Sequence, residues 1–259
     1  MLIAALAGLV AVAAAIRSTW SPCGQSMLST ITPLGERGRG NRFRTTAMWF
    51  ILGATLGGAM LGLVAALLAA VVGAVGISTS TALAIGALLA AGAVVADAGL
   101  FGLRIPYHRR QVNELWLDDY RPWVYGGGFG FQIGTGFATF IMTSALVLLV
   151  AMAALTSNPL TALALGTLFG FGRGLGVLPG ARLTTPAKLA EFHTRFDAKS
   201  AVSRRLVIGV ECLVAVAAAT AFGGLVTAAG VAFALGLLFA VGTRRRFTAR
   251  VKPRGLVSS

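Results

Sequence analysis

Charge, histidine and cysteine are all scarce in this chain. Charged residues fill 12% of the 259 positions, histidine occurs twice, and Cys23 and Cys212 are the two thiols. Two cysteines, both in apolar segments, exclude a disulfide framework and any zinc site built on paired CxxC motifs. His108 has no partner that would make it catalytic and His193 belongs on the polar face of a helix, so no metal site, cofactor or soluble catalytic triad is expected. Acidic residues number 8 against 22 Lys and Arg, a formal charge of +14. Such a balance suggests nucleic acid, but that reading needs a basic surface on a soluble domain and no segment here can build one, so nucleic acid is excluded as a partner.

Apolar residues are abundant instead. They make up 56% of the chain, mean hydropathy is +0.82, and several runs exceed the roughly 18 residues that mark a bilayer-spanning helix. The expected class is an all-α polytopic membrane protein surrounded by the lipid bilayer, with seven transmembrane helices at 2–33, 48–75, 80–103, 127–154, 158–180, 206–222 and 225–242. Residues 206–242 suit either one long tilted helix or two short ones meeting at Gly223-Gly224, and two short ones keep the basic tail on the cytoplasmic side. Twenty of the 22 basic residues lie in the first, third and fifth connections and after the last span, and the second, fourth and sixth connections carry none. By the positive-inside rule that side is cytoplasmic. The amino terminus then lies outside, the carboxyl terminus inside, and the location is the plasma (inner) membrane. Residues 1–16 resemble a signal-peptide core but lack a basic leading region, so they are expected to remain as part of the first span. The expected organisation is a single transmembrane domain over 1–243 and a basic cytoplasmic tail over 244–259.

The first run is too long for one simple helix: residues 2–33 would extend roughly 48 Å against a hydrocarbon core of about 30 Å, and Pro22 and Pro33 interrupt it. A break near Pro22 follows. Beyond it Cys23, Ser26 and Thr30 recur at i, i+3 and i+7, one helical face suited to an interior cavity. The fourth run opens on Tyr125-Gly126-Gly127-Gly128-Phe129-Gly130 and carries Gln132, Thr135, Thr139 and Thr143 at i, i+3, i+7 and i+11. It weakly echoes the first run when Gly24 is aligned with Gly134. Leu52-Gly53-Ala54-Thr55-Leu56 echoes Leu165-Gly166-Thr167-Leu168, and 91–100 echoes 216–225. Two inverted three-helix halves, 1–103 and 127–223, plus one extra helix are the expected architecture.

Four charges fall inside the predicted spans: Arg17, Asp97, Arg173 and Glu211. Unpaired near the membrane centre, each opposes insertion by roughly 2.5–3.5 kcal/mol, so they should pair or face water. Asp97, Arg173 and Glu211 lie at similar depths in the inner half. The expectation is an inward-facing vestibule in which Arg173 pairs with Glu211 or Asp97 beside Cys23, lined further by Arg17, Ser26, Thr30, Gln132, Thr135 and Thr139. A thiolate rather than a thiol attacks disulfides, and a nearby cation favours it, which makes Arg173 the candidate activator of Cys23. Cys212, next to Glu211, is either a packing residue or a redox partner of Cys23.

At Pro22-Cys23 the sequence resembles the membrane electron carriers of the cytochrome c biogenesis family, the CcdA and DsbD type, whose first helix carries a Pro-Cys break. The basic loop after Pro33 fits the family layout. The resemblance implies a fold of inverted three-helix halves. It also implies relay of reducing equivalents from a thioredoxin-like cytoplasmic donor to an extracytoplasmic thiol protein, with Cys23 and Pro22 as the reacting centre. The family's second Pro-Cys, in its fourth helix, is replaced here by Gln132-Ile133-Gly134. The same architecture also suits a small-solute or ion transporter using Arg173, Asp97 and Glu211, and a scaffold or assembly factor would need neither chemistry. Between spans, Tyr107, Trp116, Tyr120, Trp123 and Tyr125 suit the headgroup interface. Leu189, Phe192 and Phe196 give residues 187–202 the face of an interfacial helix.

Overall fold

The computed structural model describes the backbone of residues 1–100, 120–138 and 141–251, and side chains as far as residue 238. All regular structure among these residues is helical. Helix α1 (Leu2–Ser18) ends just before Thr19, and α2 (Pro22–Thr30) starts at a bend of 64°. The expected break at Pro22 is therefore a helix start. Ser21 Oγ accepts from the Gly24 amide at 3.2 Å, and Pro22 occupies a first-turn position where its missing N–H removes no helical bond. Glycine is required at 24, because a Cβ there would lie 2.2 Å from the Thr19 carbonyl oxygen. The same cap-and-proline device recurs at α3 (Pro33–Gly38), where Thr32 Oγ1 accepts from Gly35 N at 3.0 Å.

Helix α4 (Phe43–Val75) and α5 (Thr79–Ala98) follow as expected spans, joined through Gly76 and capped at Ser78. The expected fourth span, 127–154, is divided into α6 (Pro122–Gly134) and α7 (Ala145–Ala154). This breaks the proposed stripe: Gln132 lies in α6, Thr135 is its cap, and Thr143 lies beyond it. Helix α8 (Pro159–Leu175) leads through a 3₁₀ turn (Leu178–Arg182) to α9 (Pro186–Ala198) and α10 (Ser200–Val251). Gly223 and Gly224 interrupt α10 with non-helical backbone. There Thr227 Oγ1 donates to the Ala219 carbonyl at 2.7 Å, although eight residues of straight helix would separate them by about 12 Å. The chain turns sharply at Gly223-Gly224, where the sixth and seventh predicted spans meet.

Among the described residues four helices are long and apolar enough to cross a membrane, and five if the bent α1–α2 pair counts as one. The all-α polytopic membrane class stands on these helices. The long α4 holds the assembly together by packing against both α6 and α8. Its contacts are backbone against backbone: a Cβ on Gly58 would lie 2.5 Å from Gly166 O and from Gly170 Cα, and one on Gly134 would lie 2.0 Å from Ala54 O. Small residues let membrane helices approach this closely, where water supplies no hydrophobic drive between them. Helix α5 packs against α10, and α1 touches α7, α8 and α10.

Candidate functional site

Helix α2 carries Cys23 into a small apolar cluster with Met27, Leu28, Ile31, Phe50, Phe129 and Ile133. Its side chain is 2% exposed. Helix α8 brings Arg173, 3% exposed, within electrostatic reach of this thiol, and the guanidinium Nη2 has no hydrogen-bond acceptor. Arg173 is thus a buried cation with a spare donor facing the buried thiol.

Over this centre lies α9, which has no fully buried residue of its own. Phe192 and Phe196 pack against the Cys23 cluster. The Phe196 ring stacks on Trp20 at 4.3 Å, and Trp20 Nε1 donates to the Phe196 carbonyl at 2.8 Å. Gln25 donates to Asp197 at 3.0 Å, and Ser29 lies 3.0 Å from His193 Nε2. The apolar face expected to rest on lipid is thus turned, at Phe192 and Phe196, onto α2.

The structure brings Asp97 and Glu211 together, but not with Arg173. No ion pair joins Arg173 to either acid, which corrects the expected single charged vestibule. The reason is helix pairing: α5 packs on α10, so Asp97 meets Glu211 there, while α8 holds Arg173 against α4 and the Cys23 cluster. Asp97 accepts from Thr143 Oγ1, from Ser144 N at 2.7 Å and from Ser144 Oγ at 2.7 Å. Arg204 donates to its backbone carbonyl at 2.9 and 2.7 Å.

Arg17 anchors a further polar contact. It is buried and donates to Ser200 O, Ser200 Oγ and Ser203 Oγ, tying α1 to α10. Ser26 and Thr30 are half-buried, and Thr30 Oγ1 bonds back to Ser26 O at 2.8 Å. Thr135 Oγ1 similarly donates to Gln132 O at 2.8 Å. Thr139 lies outside the described residues, as do Tyr107, His108 and Trp116. Cys212 is a free, half-buried thiol packed against the larger apolar core, whereas Cys23 belongs to the smaller cluster.

Sequence reading missed Glu36. This carboxylate is 0% exposed and accepts from Arg39 Nη1 at 3.0 Å, Thr46 Oγ1 at 2.5 Å and Tyr125 Oη at 2.6 Å. It joins α3, α4 and α6 next to the Cys23 cluster. Its signal was faint: one acid among Arg37, Arg39, Arg42 and Arg44, in a stretch without apolar periodicity.

Glycine-packed apolar helices around a buried thiol and a guanidinium whose Nη2 has no acceptor define a multi-pass α-helical membrane protein with a buried cysteine–arginine centre. No protein-family model and no solved structure matches the chain. It is, however, similar to the methylamine utilization protein MauF of Paracoccus versutus, with 32% identity over 209 residues that cover 78% of this chain and 74% of that protein. MauF of Paracoccus denitrificans is 36% identical over 187 residues, covering 68% of this chain and 64% of that protein. The chain belongs to the MauF family. These relatives correct the resemblance seen at Pro22-Cys23: they are MauF proteins, not cytochrome c biogenesis carriers of the CcdA and DsbD type.

Proposed function

We propose that this protein is a membrane thiol-redox component of methylamine utilization, passing reducing equivalents from the cytoplasm to an extracytoplasmic thiol protein through Cys23. The observation that carries the reading is the burial of Cys23 beside Arg173, whose Nη2 lacks an acceptor. In this role the Cys23 thiolate attacks a disulfide of the outer partner. A Cys23–partner S–S bond replaces the partner's own, and the partner's second sulfur leaves as a thiolate and takes a proton. A dithiol donor of the thioredoxin type then attacks the Cys23 sulfur, releasing the partner's remaining thiol. The donor's second thiol closes the donor disulfide and frees Cys23. One donor dithiol is oxidised and one partner disulfide is reduced.

Cys23 and Cys212 sit in different clusters, which favours this intermolecular route over a Cys23–Cys212 disulfide. The proposed frame is two inverted three-helix halves, 1–103 and 127–223, plus one extra helix, with the amino terminus outside and the basic tail in the cytoplasm. Pairing of α4 with α8 and of α5 with α10 fits such a pseudo-symmetric arrangement.

Alkylation trapping of thiols in cells growing on methylamine tests the reading. Cys23 should cycle between free and mixed-disulfide forms in a thioredoxin-dependent manner, Cys23→Ser should abolish growth on methylamine, and Arg173→Ala should slow the cycling at least tenfold. Permanent reduction of Cys23, with growth unaffected by Cys23→Ser, would reject it. That outcome would favour a transporter in which the spare donor of Arg173 receives an anion.

A further inference from the structure

The α5–α7–α10 contact contains a polar group that neither the thiol centre nor the helix packing uses. Glu211 is 1% exposed, and neither of its carboxyl oxygens has a hydrogen-bond donor. It lies within hydrogen-bonding range of Asp97 and Ser144. The Ser144 hydroxyl, however, carries a single proton, and its Oγ lies within donating distance of Asp97 Oδ1 and the Ala93 carbonyl as well. Asp97 itself is an acceptor, already taking Thr143 Oγ1, Ser144 N and Ser144 Oγ.

A carboxylate at Glu211 would face the Asp97 carboxylate with no partner of its own, a like-charge contact that one shared proton removes. Among the described residues no basic side chain is hydrogen-bonded to either Glu211 oxygen. Arg204 donates to the Asp97 backbone carbonyl, Cys212 brings no positive charge, and α7 has no ionisable residue. A small positive ligand between the two carboxyls would remove the repulsion. Among the described residues no group of three or more acidic, histidine or cysteine side chains gathers as a metal site.

We propose that Glu211 and Asp97 form a proton-binding site, with one proton held between the two carboxyls. Asp97 is half-exposed while Glu211 is sealed, so the proton enters and leaves through Asp97 at the end of α5. Thr143 and Ser144 keep the Asp97 carboxyl aimed at its neighbour. Losing the proton leaves two like charges between α5 and α10, so occupancy of the site and the packing of those helices change together. The proposal is independent of Cys23 and holds whether the protein carries electrons or solute.

The test is infrared difference spectroscopy on the full chain in lipid nanodiscs. A protonated-carboxyl C=O band, shifted in D2O, is expected in the native protein. It should disappear in Glu211→Gln, which keeps the side-chain volume and supplies its own donor to Asp97, and should persist in Glu36→Gln. Thermal melting with added Na+ or K+ is the second measurement, made on the native protein, and no stabilisation by either ion is expected. Absence of the band in native protein, its persistence unchanged in Glu211→Gln, or stabilisation by a monovalent cation would each overturn the proposal.

Discussion

Gly166→Ala puts one methyl group into the α4–α8 crossing. The added Cβ would lie 2.3 Å from Gly62 Cα, 2.3 Å from Gly62 N and 2.7 Å from Gly58 O. Carbon atoms rest about 3.5–4.0 Å apart, so the helices must separate by more than about 1 Å. Because the neighbours are backbone atoms, no rotamer change relieves the clash, and the upper end of the usual overpacking cost, about 3 kcal/mol, applies. Alanine's better helix propensity returns about 1 kcal/mol, leaving roughly 2 kcal/mol net, or about 30-fold in the folded-to-unfolded ratio. The assay is reversible unfolding in mixed micelles, with Gly209→Ala as control, since a Cβ at 209 meets nothing within 4 Å. Arg173 lies seven residues further along α8, so the displacement should also slow alkylation of Cys23. If Gly166→Ala is as stable as Gly209→Ala, α4 and α8 do not touch at these glycines and the described crossing is wrong.

Two further substitutions probe the surroundings of the thiol. Tyr125→Phe removes one donor from the buried Glu36 carboxylate and should cost about 1.5–3 kcal/mol, read by the same unfolding assay; a loss below about 0.5 kcal/mol would show that the Tyr125 bond is not formed. Trp20→Ala deletes both the stack on Phe196 and the bond to its carbonyl, and should raise the alkylation rate of Cys23 several-fold without lowering the unfolding midpoint by more than a few tenths of its denaturant concentration. An unchanged rate would mean that α9 does not govern access.

Long-range composition made the fold class legible. Apolar runs locate α4, α5 and α8, and the sharp turn at Gly223-Gly224 falls at the glycine pair inside an otherwise continuous apolar run. Pro22 indicates the interruption between α1 and α2, although its part in the structure is to begin a helix. Equal depth along separate spans brought Cys23 and Arg173 into one expected site, and Arg173 lies within electrostatic reach of the thiol. The same counting failed for Asp97 and Glu211, because depth says nothing of which helices are neighbours, and charge complementarity pointed the acids at Arg173 rather than at each other. The division of the fourth run into α6 and α7 was hidden because apolar residues continue past Gly134 while the helix does not. Glu36 escaped because three donors from distant segments make it buriable, and only tertiary contact reveals them.

The cover of α9 over α2 has a kinetic meaning. A reagent that meets Cys23 only after Phe192 and Phe196 have lifted reacts no faster than that opening, however concentrated it is. The observed rate should therefore climb with reagent concentration and then level off at a unimolecular ceiling common to reagents of different size and reactivity. Any discrimination among protein partners would then be exercised on the open form, after the helix has moved.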